Sequence, residues 1–414
     1  MKSFFHAVTQ RPVLASSVRE LDLSGWQTEA VSDDEREIIE NETVPKGLVT
    51  ASSHSIEEAI QWKKSLKKGY GDAWIALIFP LLTHIRQLQL SYAKRTYFKD
   101  LTLQRAVNGE KLFHNRHAFQ CLREFSFYRR DRVDCVDPPQ QSEDTMPPSA
   151  ALLISFFHFP SVRAIVADAV IDPSSITSAV NRQTGFSSVF EINLRASCGN
   201  QGMEALVASC ADLKSFQYQH SDSHILSHGY QPTALYRSLA RSRETLQTLS
   251  LDHYGNHYPF TAASLNQNRD EWFGSLSDFT FLRDLCIRLP NLLDIQYQSD
   301  PTMALVHCFP LSLGILYIEG CKERHLVMLV AQLLAILKNR ATCVPKLRHV
   351  DIEGPFQNTS SNFSSNISSI STQTIVHTVN SKIVQAVELL HEGCITAGVH
   401  FYVHDRAFTQ KSPV

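Results

Sequence analysis

Two histidine-bearing stretches are the place to look for chemistry in this 414-residue chain: HSDSHILSH carries His220, His224 and His228, and DHYGNHY carries His253 and His257. Neutral imidazoles bind Zn²⁺ and related ions, and with Asp222 or Asp252 these stretches hold enough donors for three or four ligands. Histidines four apart share a face only on a helix, however. Gly229, Pro232 and the polar run around them predict a loop, so the expected reading is polar loop histidines with no metal and no cofactor. Other reaction signatures are missing. The chain has no GxxxxGK[ST] loop, no GxGxxG after a strand, no GxSxG elbow and no HExxH, and its carboxylates form no recognisable acid/base pair. The expectation is a protein that binds and does not catalyse.

The elements that must position these residues are legible from one recurring pattern, hydrophobe-x-x-hydrophobe-x-hydrophobe. It occurs as VRELDL, IRQLQL, LREFSF, VRAIVA and VFEINL, then as LKSFQY, LQTLSL, LRDLCI, LGILYI and LRHVDI. Positions four and six lie two apart and face one side of an extended chain, while position one anchors the turn into the strand. Such copies match the short strand of a leucine-rich repeat, in which no strand buries its apolar face alone and stacked neighbours form a continuous core. From Val162 to Leu347 the copies start 24 to 36 residues apart, which leaves room for a helix in each return. The expected fold is therefore α/β: a single leucine-rich-repeat-like solenoid over residues 1–414, with a curved parallel sheet inside and helices outside. In this register His220 and His253 each fall seven residues after position one of their copies. That predicts them to be neighbours across the ladder.

Helix signals fill the returns. Ser55 reads as an N-cap with Glu58 three residues on, and Ile56, Ala59, Ile60 and Leu66 supply a stripe that ends at Gly69. Asp72 reads as the cap of AWIALIF. Further helices are predicted over 97–106, 150–157, 202–209, 233–241, 326–338 and 383–391, and GVHFYV reads as an eleventh, capping strand. The Pro-rich stretch 131–149 and the Ser/Asn/Thr-rich stretch 357–374 are expected to be flexible insertions. The acidic stretch 29–54 separates the first copy from the second, so the first strand is expected to be looser.

Composition narrows the partners. The chain is 43% hydrophobic, with a net charge of -2 and a pI near 6.8, which argues against a dedicated nucleic-acid binder. No stretch approaches the roughly 18 apolar residues of a membrane span, and the N-terminus lacks a signal-peptide core. Nine scattered cysteines without a CxxC pair read as core fillers in a reducing compartment, so a cytoplasmic or nuclear location is expected. The sequons at Asn41, Asn358, Asn362 and Asn366 then read as chance matches, and Lys63, Lys64, Lys67 and Lys68 as a solvated helix face.

The expected partner is a protein, met on the concave face or the loop rim. A basic residue holds position two in seven copies, as Arg19, Arg86, Arg123, Arg163, Lys214, Arg283 and Arg348. These could form a stripe for an acidic peptide, although Glu20, Glu124, Glu191 and Asp284 in the next position offset it. Trp26, Tyr92, Tyr128 and Tyr254, just past their strands, are candidate rim anchors or loop packing. His220 and His253 complete the candidate surface.

The phrases SFFHFPSVRAI, MEALVASCADLKSFQYQH, SLSDFTFLRDLCI, YIEGCKERHLVMLVAQLLAIL and AGVHFYV resemble the leucine-rich-repeat region of F-box proteins of filamentous fungi. The resemblance spans nearly the whole chain. It implies a substrate-recognition subunit of a cullin-type ubiquitin ligase, whose F-box docks the ligase adaptor while the repeats hold substrate. Only seventeen residues precede the first copy, too few for an F-box, so the docking module is expected to be missing from this stretch.

Overall fold

The computed structural model describes residues 2–24, 46–91, 97–113, 119–128, 150–172, 184–199, 201–221, 231–253, 271–295, 301–354 and 381–405. Both expected insertions, 131–149 and 357–374, lie outside them. The chain divides into two compact units, one of Met1–Gly229 with Tyr254–Tyr258 and another of Tyr230–His253 with Pro259–Val414.

In the first unit each of six copies supplies one strand: β1 (Glu20–Leu23), β2 (Gln87–Ser91), β3 (Glu124–Tyr128), β4 (Ala164–Asp168), β5 (Glu191–Ser197) and β6 (Ser215–His220). All adjacent pairs are parallel and follow chain order. Positions four and six are sealed: Leu88, Phe125, Ile165, Ile192 and Phe216 at position four are wholly buried. Only β1 is looser, its Leu21 being half-exposed. Register is held where each strand starts. The position-two carbonyl of one copy accepts N–H groups from positions two and three of the next, as Arg86 N and Gln87 N do on Arg19 O at 2.6 and 3.1 Å.

Helices cover the apolar side of these strands. Phe156, in the helix Ala150–Phe157, stacks on Phe125 of β3 with ring centroids 3.4 Å apart. Helix Ile56–Lys67 is capped as expected by Ser55, whose side chain accepts Glu58 N at 3.1 Å, but its buried stripe is Ala59, Trp62 and Leu66. Ile56 and Ile60 stand exposed at 76% and 58%, because Trp62 offers the largest apolar surface and turns its own face inward. Asp72 does not cap its own helix, Gly71–Ile78, either. Its carboxylate accepts Phe98 N at 2.7 Å and Lys99 N at 3.3 Å, so it caps the next repeat's helix, Tyr97–Asn108. Asp172 repeats the device, accepting Gln201 N and Met203 N at the start of helix Glu204–Ser209. Helices Lys2–Gln10 and Pro12–Ser17, which no sequence signal announced, bury Phe5 and Ala15 and set Phe5 edge-on against Trp74 at 5.2 Å.

The second unit carries β7 (Thr248–His253), β8 (Asp284–Arg288), β9 (Ile315–Glu319), β10 (His349–Gly354) and β11 (His400–Asp405), each parallel to its neighbour. GVHFYV thus supplies the eleventh strand. Long helices Glu323–Lys338 and Ser381–Ala397 occupy the last two returns, whereas the described residues of the return from β8 to β9 form the short helix Leu289–Leu292 and the 3₁₀ turn Leu305–His307. Pro290 stands in the first turn of that short helix, where its missing N–H would be unpaired anyway, and the chain is extended again at Leu293. Both units are α/β repeat solenoids, with parallel strands backed by helical or looped returns.

Candidate functional site

Alternation along β7–β10 buries positions four and six and turns three, five and the residue after six to the other side, while in the last strand, β11, Phe401 is only half-buried and Val403 is exposed. Register then aligns side chains from distant copies. Position five gives Ser250, Cys286, Tyr317, Asp351 and Tyr402, paired strand to strand. Position seven gives Asp252, Arg288, Glu319, Glu353 and His404. The face is rich in carboxyls and rings.

Its centre is Glu319, 7% exposed at the end of β9. Cys286 Sγ donates to Glu319 Oε1 at 3.3 Å, and Glu319 Oε2 is buried. Burial, with the charges of Asp252 and Glu353 and a hydrogen bond to Asp252, pushes the Glu319 carboxyl up to about 9. It is therefore neutral at neutral pH. Tyr317 donates its hydroxyl proton to Glu353 Oε2, and burial followed by that carboxylate raises the phenol as well. The Cys286 thiol is also raised, first by burial and then by Glu319, so it is no nucleophile at ordinary pH. Beside these, His349 Nε2 lies 2.9 Å from Asp351 Oδ2 and His404 Nε2 lies 3.9 Å from the same oxygen. Tyr317 stacks on His404 and Tyr402 on His349, with centroids 6.0 and 5.2 Å apart.

The expected site residues fall elsewhere. Arg19, Arg86, Arg123 and Arg163 occupy one row through β1–β4, where each peptide bonds the next. The first three side chains are exposed, but Arg163 is half-buried and bonds the carbonyls of Pro160, Val162 and Ser188. Lys214 pairs with Asp212 at 3.4 Å and covers the Phe190 ring. Arg283 and Arg348 are exposed in the second unit, separated in their row by Gly314. Tyr128 is the last residue of β3 and half-buried; Trp26, Tyr92 and Tyr254 lie outside the described residues.

His220 is a correction. It is fully buried at the end of β6, and its Nδ1 lies 2.9 Å from the Tyr218 hydroxyl, which also donates to Ser197 O and accepts from Gly199 N. It is a satisfied core histidine, because the strand runs on to position eight, which alternation turns to the same buried side as positions four and six. His253 ends β7, with its side chain outside the described residues, as are His224, His228 and His257. Among the described residues no three His, Cys, Asp or Glu side chains converge as a metal ion requires. Asp252, Glu319 and Glu353, on β7, β9 and β10, do influence one another's charge, a grouping that no sequence motif announced. The signal was present in the sequence, in the columns at positions five and seven of copies seven to ten.

A family model described as leucine-rich repeat domain matches residues 2–359. The chain belongs to that family, and its repeats form a protein-interaction module. Comparison with curated proteins found no match. Among the described residues no helix is long and apolar enough to cross a membrane, and none of the eight described cysteines forms a disulfide.

Proposed function

We propose that the chain is a non-enzymatic recognition subunit that holds a protein substrate for a cullin-type ubiquitin ligase in the cytoplasm or nucleus. The observation that carries the recognition role is the exposed strand face, where residues from five strands form ordered rows while the apolar positions of β7–β10 are sealed beneath. Such a surface binds through many side chains at once and offers no activated nucleophile, which suits recognition better than turnover. The ligase role is supported by the resemblance of the linking phrases to fungal F-box proteins.

The test is affinity purification of the protein expressed from its own locus. Recovery of the cullin adaptor, together with a partner that accumulates when the gene is deleted, is the expected result. A partner recovered without any adaptor would replace the ligase role with that of a scaffold.

A further inference from the structure

We propose that two copies of this chain associate edge to edge through β11 and helix Ser381–Ala397, as a two-fold dimer whose strands pair antiparallel about Tyr402. This goes beyond the recognition reading above and does not rest on it.

β11 pairs with β10 without a break over His400–Asp405, and among the described residues no strand pairs with its other edge. Its sequence, HFYVHD, has none of the Pro, Lys or bulge devices that blunt a free edge. Positions four and six are at most 2% exposed in β7–β10, whereas here Phe401 is half-buried, Val403 is 37% exposed and Tyr402 52%. The terminal repeat of a stacked array needs a polar outer face, and this one is apolar. The helix continues it. Val384, Glu388, His391 and Ile395 recur at helical spacing on one exposed face, Val384 and Ile395 being 40% and 64% exposed. The His391 ring lies 6.3 Å from that of Phe401, which sets this face beside the strand.

A second copy fits because both elements are self-complementary. A two-fold axis normal to the sheet through Tyr402 keeps the apolar sides of the two sheets together. It sets Phe401 opposite Val403, Tyr402 opposite Tyr402, and His400 opposite His404, where two imidazoles can share a hydrogen bond. On the helix, antiparallel pairing about the midpoint of Leu389 and Leu390 sets Val384 against Ile395 and Glu388 against His391, an acid against a base. The two midpoints share one axis. The helix must run against the strands to return the chain to a parallel neighbour. Tyr402 stands one residue beyond Phe401, about 3.3 Å, which equals about two helical residues back from His391 and so falls at Leu389. An unrelated partner would need none of these matches.

The test is sedimentation of the full chain from about 1 to 100 μM, joined to cysteine cross-linking. The parent should sediment as a dimer, at twice the 46.7 kDa of one chain. Tyr402→Lys on the edge and Ile395→Lys on the helix should each weaken the dimer at least about tenfold with unchanged circular dichroism. Val327→Lys, at a site 60% exposed on helix Glu323–Lys338, should not. Glu388→Lys should weaken it too, and adding His391→Glu should restore it, a rescue that a folding defect would not show. Tyr402→Cys should form a disulfide between copies, located by peptide mass spectrometry, since paired Cα atoms lie about 4.5 to 5.5 Å apart. His404→Cys should not, because this register holds its two copies about 13 Å apart. A parent that stays monomeric to about 100 μM, unchanged dimerisation in both lysine variants, or cross-linking by His404→Cys and not by Tyr402→Cys would each overturn the proposal. Any of these would leave recognition by the repeats standing.

Discussion

Replacing Glu319 by Gln makes a prediction about stability that can be followed through in numbers. The glutamine keeps the shape and an acceptor for Cys286 Sγ, but cannot ionise. In the folded protein the Glu319 carboxyl holds its proton to about 9, against an ordinary carboxyl value of 4.5, because it is buried and lies beside Asp252 and Glu353. Between these values the folded chain binds the proton that the unfolded chain has released, so stability falls as pH rises. The contribution is fully present below about 4.5 and is lost as pH climbs through about 9. At about 1.4 kcal/mol per pH unit the ceiling is about 6 kcal/mol, and relaxation around a site two strands from the cap of the array should reduce it to roughly half. Guanidinium unfolding from about pH 5 to about pH 9, read by Trp272 fluorescence and circular dichroism, provides the measurement. The parent should lose stability against the variant steadily over this range, by about 3 kcal/mol or more. Parallel curves would refute the reasoning and place Glu319 in an environment that solvates its charge.

Three further outcomes follow from the packing. Arg105, 5% exposed, forks onto Glu58 at 2.7 and 2.8 Å and onto Ser52 O, so Arg105→Ala should cost about 3 to 5 kcal/mol in denaturant titrations, with Arg105→Lys recovering only part because the fork is lost. Phe156→Ala removes the wholly buried ring stacked on Phe125 and should cost about 3 to 5 kcal/mol, seen as a lower unfolding midpoint. Gly274→Ala would place a Cβ 2.7 Å from the Tyr236 ring at a φ of +137°, and about 1 to 3 kcal/mol should be lost in thermal unfolding.

The strands were legible because burial at every second residue writes itself into the sequence. Val162, Ile165 and Ala167, or Leu313, Leu316 and Ile318, announce one apolar face with no knowledge of what covers it. Ser55 and Gly69 marked helix ends for the same local reason, a side-chain acceptor at one end and a backbone free to take positive φ at the other. Asp72 was misread because a carboxylate can cap any helix start within reach. Which start lies within reach depends on how the returns pack, as it does for Trp62 against Ile60. The histidines drew attention by spacing, yet spacing carries no information about burial, and His220 proved to be core.

The sequence by itself determined the repeat, its strand register, the sealed positions four and six, and membership of the leucine-rich-repeat family, since each depends on periodicity along the chain. Only the tertiary structure decided which polar residues meet. Asp252, Cys286, Glu319 and Glu353 are far apart in the chain and come together because parallel stacking sets positions five and seven of successive copies side by side, each strand about 4.8 Å from the next. Their burial and shared charge, which make Glu319 a neutral acid, arise from that assembly and from no residue alone.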